Sequence, residues 1–436
     1  MNVDSRSHVP TYIVGGGLAG LTAAAILSAA GQPVVVLEAG RTLGGRARTR
    51  WVDGFGINVG PHALYVSGSG ARILKELGVD LSGGMPRLWR YDVLIDHEPV
   101  SIASFTARRT RSRRSMLRVG MGRWPRTPPG TSAAEVLHAM PLDDVGRAGA
   151  EMLCRIATYS GDLSLLDAAV AQRQLRMALY PGVRYLHGGW EQLVAGLRRV
   201  IEANGGEIRT GTAVSAVHHD VAVRSIELRN GEEIPAERVV VALPDASRAT
   251  RLLDGPGADR LSDATCDHTP VHMAHLDVAL RSGGRRLRSL IDPAQRTYVS
   301  VPSDVSRVAP GDGVMVHAGR YLLDSELRGD YRPALEAALD VMEPDWRDHV
   351  VDARYTPSSM VAGDHARPLR EGTRRVGVDG AGVAGLALAG DWVAADPSFD
   401  EGILADASIT SAATAAQRLL HRGVSPAHTR GATMVR

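Results

Sequence analysis

The stretch TYIVGGGLAGLTAAAILSAAGQPVVVLE, residues 11–38, constrains the fold more than any other part of the chain. A short β-branched run leads into Gly-x-Gly-x-x-Gly. Residues 18–30 then predict an Ala/Leu helix, and residues 33–37 predict a second buried strand that ends at Glu38. A strand, a glycine turn, a helix, a strand and a terminal acid in this order are typical of the βαβ unit that binds dinucleotides.

Each glycine of this unit, and the acid at its end, has a physical role. Gly15 permits the tight turn out of the strand, Gly17 leaves room for a pyrophosphate beside the backbone, and Gly20 lets the helix pack on the strand. The helix N-terminus supplies N–H groups and a positive dipole end for phosphate. Glu38 can accept hydrogen bonds from ribose hydroxyls. The predicted dinucleotide contacts here are Gly15, Gly17, Leu18, Ala19, Gly20, Glu38 and Ala39.

Two other interpretations of the same stretch are open, because it is almost free of charge before Glu38. A signal peptide would combine a basic start, an apolar middle and a small-residue cleavage site, which Arg6 and the SAA at 28–30 match loosely. A membrane span would need about 20 apolar residues without breaks. The glycine spacing favours the nucleotide fold over both.

Composition narrows the class further. The chain has 436 residues, which favours two domains, and its net charge of +2 argues against a nucleic-acid binder. Aromatic residues make up only 4%, so a base-stacking platform is not expected. Cys154 and Cys266 are the only cysteines and match no zinc or disulfide spacing. We therefore expect no metal site, and a reducing, cytoplasmic location.

The residues after Glu38 distinguish between nucleotides. RTLGGRARTR, residues 41–50, is followed by DGFGINVGPHALY, residues 53–65. This order resembles the flavin amine oxidase and phytoene desaturase superfamily, in which such segments form one long FAD site. Residues 185–217 and 385–419 resemble two further blocks of that superfamily. The resemblance covers roughly half the chain and implies non-covalent FAD, since neither cysteine lies in a flavin motif.

The resemblance also implies the remaining site residues. The stretch at 60–62 should lie against the flavin ring, where His62 is a candidate catalytic base or flavin hydrogen-bonding partner, with a packing role as the alternative. Asp391 is implied at a ribityl hydroxyl, and a helix opened by Gly402 should point at the flavin. The implied contacts are Gly45, Arg46, Gly60, Pro61, His62, Val214, Gly390, Asp391, Gly402 and Ile403.

The expected fold class is α/β: a Rossmann-like, glutathione-reductase-like FAD-binding domain interwoven with an α+β substrate domain. We assign residues 1–84, 185–268 and 370–423 to the FAD-binding domain. Residues 85–184 and 269–369 form the expected substrate domain, and residues 424–436 a tail.

The predicted function is that of an FAD-dependent oxidoreductase, which takes a hydride at flavin N5 from a C–H bond of a largely apolar small molecule. Carbon–carbon desaturation and C–N oxidation stay open, as do a non-catalytic escort protein and a redox-neutral isomerase of the same fold. True amine oxidases place a lysine near flavin N5. Here Lys75 is the only lysine and lies in a predicted surface helix, so we expect slow reaction with oxygen.

A basic run between residues 108 and 126 carries no acidic residue. We expect a solvated surface segment with little effect on stability and none on FAD binding. A peripheral membrane contact that loads an apolar substrate and an anionic partner are the alternatives. The arginines of the run are Arg108, Arg109, Arg111, Arg113, Arg114, Arg118, Arg123 and Arg126.

Overall fold

The computed structural model describes residues 9–108, 112–281, 287–368, 375–399 and 402–421. The predicted tail at 424–436 lies outside the described residues, as do Arg109, Arg111 and the side chains of Arg108 and Arg113. None of the helices in these ranges is both long enough and apolar enough to cross a membrane.

In chain order, the described strands are β1 Thr11–Val14, β2 Val34–Glu38, β3 Thr49–Val52, β4 Phe55–Asn58, β5 Leu64–Tyr65, β6 Gly83–Gly84, β7 Tyr91–Ile95, β8 Glu98–Ser101, β9 Val183–Leu186, β10 Glu207–Thr210, β11 Val214–His219, β12 Val223–Leu228, β13 Glu233–Pro235, β14 Val239–Val241, β15 Val271–Leu280, β16 Ser289–Asp292, β17 Thr297–Ser300, β18 Val314–Tyr321, β19 Val350–Ala362, β20 Val376–Gly377, β21 Leu386–Leu388 and β22 Val393–Ala394. The helices are α1 Leu18–Ala29, α2 Ser69–Glu76, α3 Ile102–Arg108, α4 Arg113–Gly120, α5 Ala133–Ala139, α6 Asp144–Thr158, α7 Ala168–Met177, α8 Glu191–Ala203, α9 Ala246–Thr250, α10 Gly255–Ala264, α11 Arg332–Met342 and α12 Leu404–His421.

Parallel strands form the first sheet, which has five strands in the described part of the chain, in the order β10-β2-β1-β14-β21. Its inner strands are apolar on both faces, as the buried run Val239–Val241 illustrates, because α1, α8 and α12 contribute to the core around the sheet, whereas the edge strand β10 is partly exposed. This order is that of a doubly wound nucleotide-binding fold, so the Rossmann-like prediction is confirmed.

Close packing of α1 on β1 depends on glycine. A Cβ built on Gly20 would lie 1.9 Å from the carbonyl oxygen of Gly15, so any side chain there would push the helix away. Gly15 itself has a φ of +109°, in the region that favours glycine. The predicted helix end is also found, with Gly31 at a φ of +77° just past α1.

A second, mixed sheet has seven strands among the described residues, in the order β19-β15-β18-β17-β16-β7-β8. Its strands come from residues 91–101 and 271–362, within the segments assigned to the substrate domain, although the domain boundaries themselves stay a prediction. Residues of α11 pack with this sheet in one apolar cluster. Helices α4 to α7, between residues 113 and 177, form most of a second apolar cluster, and Phe105 of α3 packs in a third.

The basic run does not behave entirely as a solvated segment. Its described part includes α4, and Val119 and Trp124 are buried in the cluster of helices. Arg114, Arg118 and Arg123 are exposed, as expected. The expectation of a solvated segment was therefore wrong for these apolar positions, because one face of α4 packs inside the protein, while the small effect of the arginines on stability stays a prediction.

Candidate functional site

A cleft of about 650 Å³ opens at the carboxyl ends of the parallel strands and is bounded on the far side by the seven-stranded sheet. Gly20, Gly402 and Ile403 are not among its described lining residues, so their cofactor contacts stay predictions. The predicted site residues that the structure brings together along the cleft are Gly15, Gly17, Leu18, Ala19, Glu38, Ala39, Gly45, Arg46, Gly60, Pro61, His62, Val214, Gly390 and Asp391.

The N-terminus of α1 forms the corner of the cleft that suits a pyrophosphate. Gly17 is its N-cap and no side chain caps the helix, so the first-turn N–H groups face the cleft without a capping partner. A Cβ built on Gly17 would meet nothing within 4 Å. The backbone N–H of Gly44 donates to the carbonyl of Gly16 over 2.8 Å and holds the second glycine turn against this corner. These features fit the pyrophosphate of FAD.

Glu38 closes one end of the cleft. Its Oε2 accepts the backbone N–H of Gly16 over 2.7 Å, and its Oε1 accepts that of Gly40 over 2.6 Å. The carboxylate therefore also fixes the glycine loop, a role that sequence analysis did not predict. Each oxygen retains a further lone pair, so a ribose contact is compatible with these bonds and stays a prediction.

An ion pair between Arg46 and Asp391 crosses the middle of the cleft. Both distances between the guanidinium and the carboxylate are 2.8 Å, and Arg46 also donates to the carbonyl of Val361 over 2.9 Å. Asp391 is 1% exposed and also accepts the backbone N–H of Gly363 over 3.2 Å. Burial alone would lower the pKa of Arg46, but the Asp391 carboxylate outweighs it and the pKa is raised. Arg46 therefore stays charged.

The C-terminal helix begins at Leu404 and not at Gly402, and its first turn contains an acid that sequence analysis missed. Asp406 lines the cleft, and its Oδ1 accepts the backbone N–H of Gly70 over 2.6 Å. A Cβ built on Gly402 would lie 2.2 Å from Oδ2 of Asp406, so glycine is needed there for packing. Ile403 is buried in the cluster of helices.

His62 stands where the cleft meets a second cavity. Its Nδ1 lies 2.9 Å from the carbonyl oxygen of Gly60, which can only accept, so Nδ1 carries the hydrogen and Nε2 is left as an acceptor. The ring meets Trp190 edge-on at 4.8 Å. Burial lowers the pKa of His62 to about 4. The imidazole is therefore neutral at pH 7 and does not supply a positive charge near the flavin.

The second cavity has a volume of about 400 Å³ and shares Pro61, His62, Ala63, Tyr65 and Tyr159 with the cleft. No Asp, Glu, Lys or Arg is among its described lining residues. Apolar side chains from α3, α4, α6 and the turn after α7 form one side of its wall. Sequence analysis predicted an apolar substrate but did not identify this wall.

Tyrosines provide most of the polar atoms of the cavity, and their hydroxyls bond to protein groups. Tyr298 lies 3.0 Å from the Tyr91 hydroxyl and 3.1 Å from the Tyr185 hydroxyl. Tyr159 donates to the carbonyl of Pro61 over 2.8 Å. Tyr65 donates to Ala157, and burial raises its pKa to about 12. The Tyr65 phenol therefore stays neutral at pH 7.

A buried triad of His275, Asp277 and His317 lies behind the loop that carries Gly60. His275 Nδ1 is 2.9 Å from one Asp277 oxygen and His317 Nδ1 is 2.6 Å from the other. A Cβ built on Gly60 would lie 3.5 Å from the His275 ring. Burial alone would raise the pKa of Asp277, but the two imidazoles outweigh it and hold the pKa well below its usual range. The i, i+2 spacing in β15 was a signal that sequence analysis passed over.

Neither cysteine nor the lysine is among the described residues that line the cleft. Cys154 is buried among the helices, Cys266 is exposed, and both are free thiols. Lys75 is exposed on α2. The non-covalent attachment of the flavin and the absence of a lysine beside it stay predictions.

A Rossmann-like sheet, a pyrophosphate corner and an adjoining apolar cavity are together typical of a flavoprotein of the oxidoreductase class. The chain belongs to the flavin containing amine oxidoreductase family, whose match spans residues 18–420. The family, the oxidoreductase class and the FAD cofactor expected from the sequence are thereby confirmed.

Curated relatives include both desaturases and oxidases. Hydroxyneurosporene desaturase of Rubrivivax gelatinosus is 24% identical over 296 residues, which cover 58% of this chain and 56% of that protein. An L-amino-acid oxidase of Sistrurus catenatus edwardsii is 41% identical over 71 residues, 16% of this chain and 14% of that protein. The chain therefore matches less than two thirds of the length of either relative.

Solved structures with the same fold cover nearly the whole chain. An oxidoreductase from Methanosarcina mazei has a TM-score of 0.73 at 19% identity, covering 94% of this chain and 100% of that one. A redesigned putrescine oxidase has a TM-score of 0.69 at 15% identity, and the match covers 95% of this chain and 99% of that one. At these identities the likeness concerns the fold alone.

We expect Gly17→Val to abolish flavin binding while leaving the fold intact, because its side chain would occupy the open corner beside α1. Gly20→Val should instead destabilise the protein. Gly377→Val, at an exposed position that also has no atom within 4 Å, is the matched control. Flavin absorbance per chain and Tm are the measurements. A fully yellow Gly17→Val protein would contradict the assignment of the corner.

Arg46→Gln should lower the free energy of unfolding by about 3 kcal/mol, the lower end for a buried pair because Arg46 is partly exposed. The loss arises because Asp391 stays buried without its partner. Adding Asp391→Asn should restore part of the stability, measured by urea unfolding of both single variants and the double variant. Arg198→Gln, which breaks an exposed pair, should cost less than about 1 kcal/mol. Additive losses at Arg46 and Asp391 would rule out the coupling.

His62→Gln should make the free energy of unfolding depend less on pH between about pH 6.5 and 4. An unfolded histidine titrates near pH 6.5 and folded His62 near pH 4, so the unfolded chain binds more protons between these values. Stability from this residue is thus present above about pH 6.5 and lost as pH falls towards 4. Unfolding free energies of wild type and variant should diverge across that window. Parallel curves would mean that His62 is not buried as neutral imidazole.

Proposed function

We propose that this protein is an FAD-dependent oxidoreductase that removes a hydride from a C–H bond of an apolar small molecule held in the second cavity. The absence of charged side chains among the described residues that line this cavity is the observation that carries the proposal. The cavity adjoins the cleft at His62 and Tyr159, so a substrate in it would lie next to the expected flavin.

The charge of the cavity favours carbon–carbon desaturation over oxidation of an amine. Amines and amino acids are ionic at pH 7, and burying an unpaired charge costs several kcal/mol. A bound amino acid would also call for a basic partner for its carboxylate. The tyrosine hydroxyls bond to one another or to backbone carbonyls, and burial raises the pKa of Tyr159, Tyr185 and Tyr298, which keeps these three phenols neutral.

Bound FAD would supply the hydride acceptor. The chain's own residues would bind and orient: the Gly17 corner and α1 hold the pyrophosphate, and Arg46 with Asp391 fixes the middle of the cleft. His62, with a pKa of about 4, is a weak base and is better suited to accept a hydrogen bond at Nε2 than to remove a proton. The relatives named as desaturases are consistent with an apolar substrate.

Anaerobic mixing with candidate substrates tests the proposal. We expect an apolar polyene to bleach the flavin, and primary amines and amino acids to leave it oxidised. Bleaching by amines alone would overturn the choice of desaturation. A protein purified without flavin, and unable to take it up, would favour the escort function. Conversion of substrate without net electron acceptance would favour the isomerase.

Ile156→Asp should slow reduction of the flavin by an apolar substrate roughly 100-fold, because it places a charge in the cavity wall. Ile156→Met, which conserves volume and polarity at the same position, should stay near the wild-type rate. Flavin content should be unchanged in both variants, as Ile156 is not a described residue of the cleft. Equal rates in the two variants would mean that the substrate binds elsewhere.

A further inference from the structure

The mouth of the apolar cavity is surrounded by exposed apolar side chains. Leu88, Leu117 and Met121 line the cavity and are nevertheless about half exposed, so the cavity opens to the surface beside them. We name these, with the exposed apolar neighbours of other lining residues, the mouth patch. Its members are Met85, Leu88, Trp89, Leu117, Met121 and Tyr180.

Separate chain segments lie next to each other at the mouth patch. Gln172 Nε2 donates to the carbonyl of Gly122 over 2.7 Å, which holds the end of α4 against α7. A Cβ built on Gly182 would lie 2.8 Å from the terminal carbon of Met85, which brings the turn after α7 to the segment before β7. Trp89 is 71% exposed and Tyr180 is 87% exposed. Large apolar side chains so exposed at one place mark an interaction surface.

Unpaired arginines accompany the patch. Arg114 and Arg118 are exposed on the same face of α4 as Leu117 and Met121, because these positions are three or four residues apart. Arg87 lies beside Leu88. None of these arginines forms an ion pair with another described residue, and the sequence has no acid between Glu98 and Glu135. The surface therefore combines apolar groups with uncompensated positive charge.

We propose that the mouth patch docks on an anionic lipid bilayer, so that an apolar substrate passes from the acyl chains into the cavity without entering water. Exposed aromatic and aliphatic side chains with flanking arginines are the combination that holds a protein at a negatively charged membrane surface. The position of the patch at the entrance of an apolar cavity favours a bilayer over a protein partner, because a protein partner could bind equally well away from that entrance. This inference rests on the proposed function for the nature of the substrate.

Co-sedimentation with vesicles tests the docking. The flavin-loaded protein should bind vesicles of phosphatidylcholine with phosphatidylglycerol, and bind vesicles of phosphatidylcholine alone more weakly. Added salt should weaken the binding. Arg114→Gln with Arg118→Gln should weaken it about 25-fold, since each arginine near an anionic surface contributes about fivefold. The matched control is Arg199→Gln with Arg229→Gln, exposed arginines outside the patch, which should bind as wild type.

A second pair of variants tests the apolar part. Trp89→Ser with Tyr180→Ser removes exposed side chains that do not line either cavity, so flavin content should be unchanged while vesicle binding falls. Val221→Ser, at an apolar residue 84% exposed elsewhere, should bind as wild type. Wild-type protein that ignores anionic vesicles, or binding that none of the patch variants weakens, would overturn the inference.

The outcomes separate this inference from the proposed function. If the flavin is reduced by an apolar substrate in detergent but the protein ignores vesicles, the docking falls and the proposed function stands. If the protein binds vesicles but no apolar substrate reduces the flavin, the proposed function falls and the docking on membranes stands. A dimer that the Trp89 and Tyr180 substitutions dissociate, without vesicle binding, would make the patch an interface between two copies and also overturn the inference.

Discussion

The ion pair between Arg46 and Asp391 joins two parts of the chain that are 345 residues apart. The candidate site needs both parts in place. Arg46 follows the second strand of the parallel sheet, Asp391 follows its last strand, and the bond to Val361 reaches the other sheet. The relative position of the two sheets sets the width of the cleft. A substitution at either residue should therefore affect the whole site and not only its middle.

Local sequence order was sufficient for the nucleotide-binding half of the site. Gly15, Gly17 and Gly20 are predictable because a tight turn, an approaching phosphate and a close helix each exclude a side chain, and these demands act within one βαβ unit. The position of Glu38 at a strand end follows from the same unit. Its bonds to two backbone N–H groups do not, because they depend on how the glycine loop folds back.

The substrate half was less predictable, because its residues meet only through tertiary packing. Tyr91, Tyr185 and Tyr298 come from three separate strands, and nothing in their local sequences indicates that their hydroxyls share one network. The start of α12 was misplaced by one residue, at Ile403 instead of Leu404, and Gly402 packs against the side chain of Asp406. The burial of one face of α4 was not predicted, because its apolar residues alternate with the arginines of the basic run.

The triad of His275, Asp277 and His317 lies directly behind Gly60, a residue that has no side chain to shield it. Both Nε2 atoms are buried and have no hydrogen-bond partner among the described residues. Hydrogens on these imidazoles therefore exchange with water only when the surrounding structure opens. Exchange of these hydrogens, followed by nuclear magnetic resonance, would therefore report how often the structure around Gly60 opens, without any substrate.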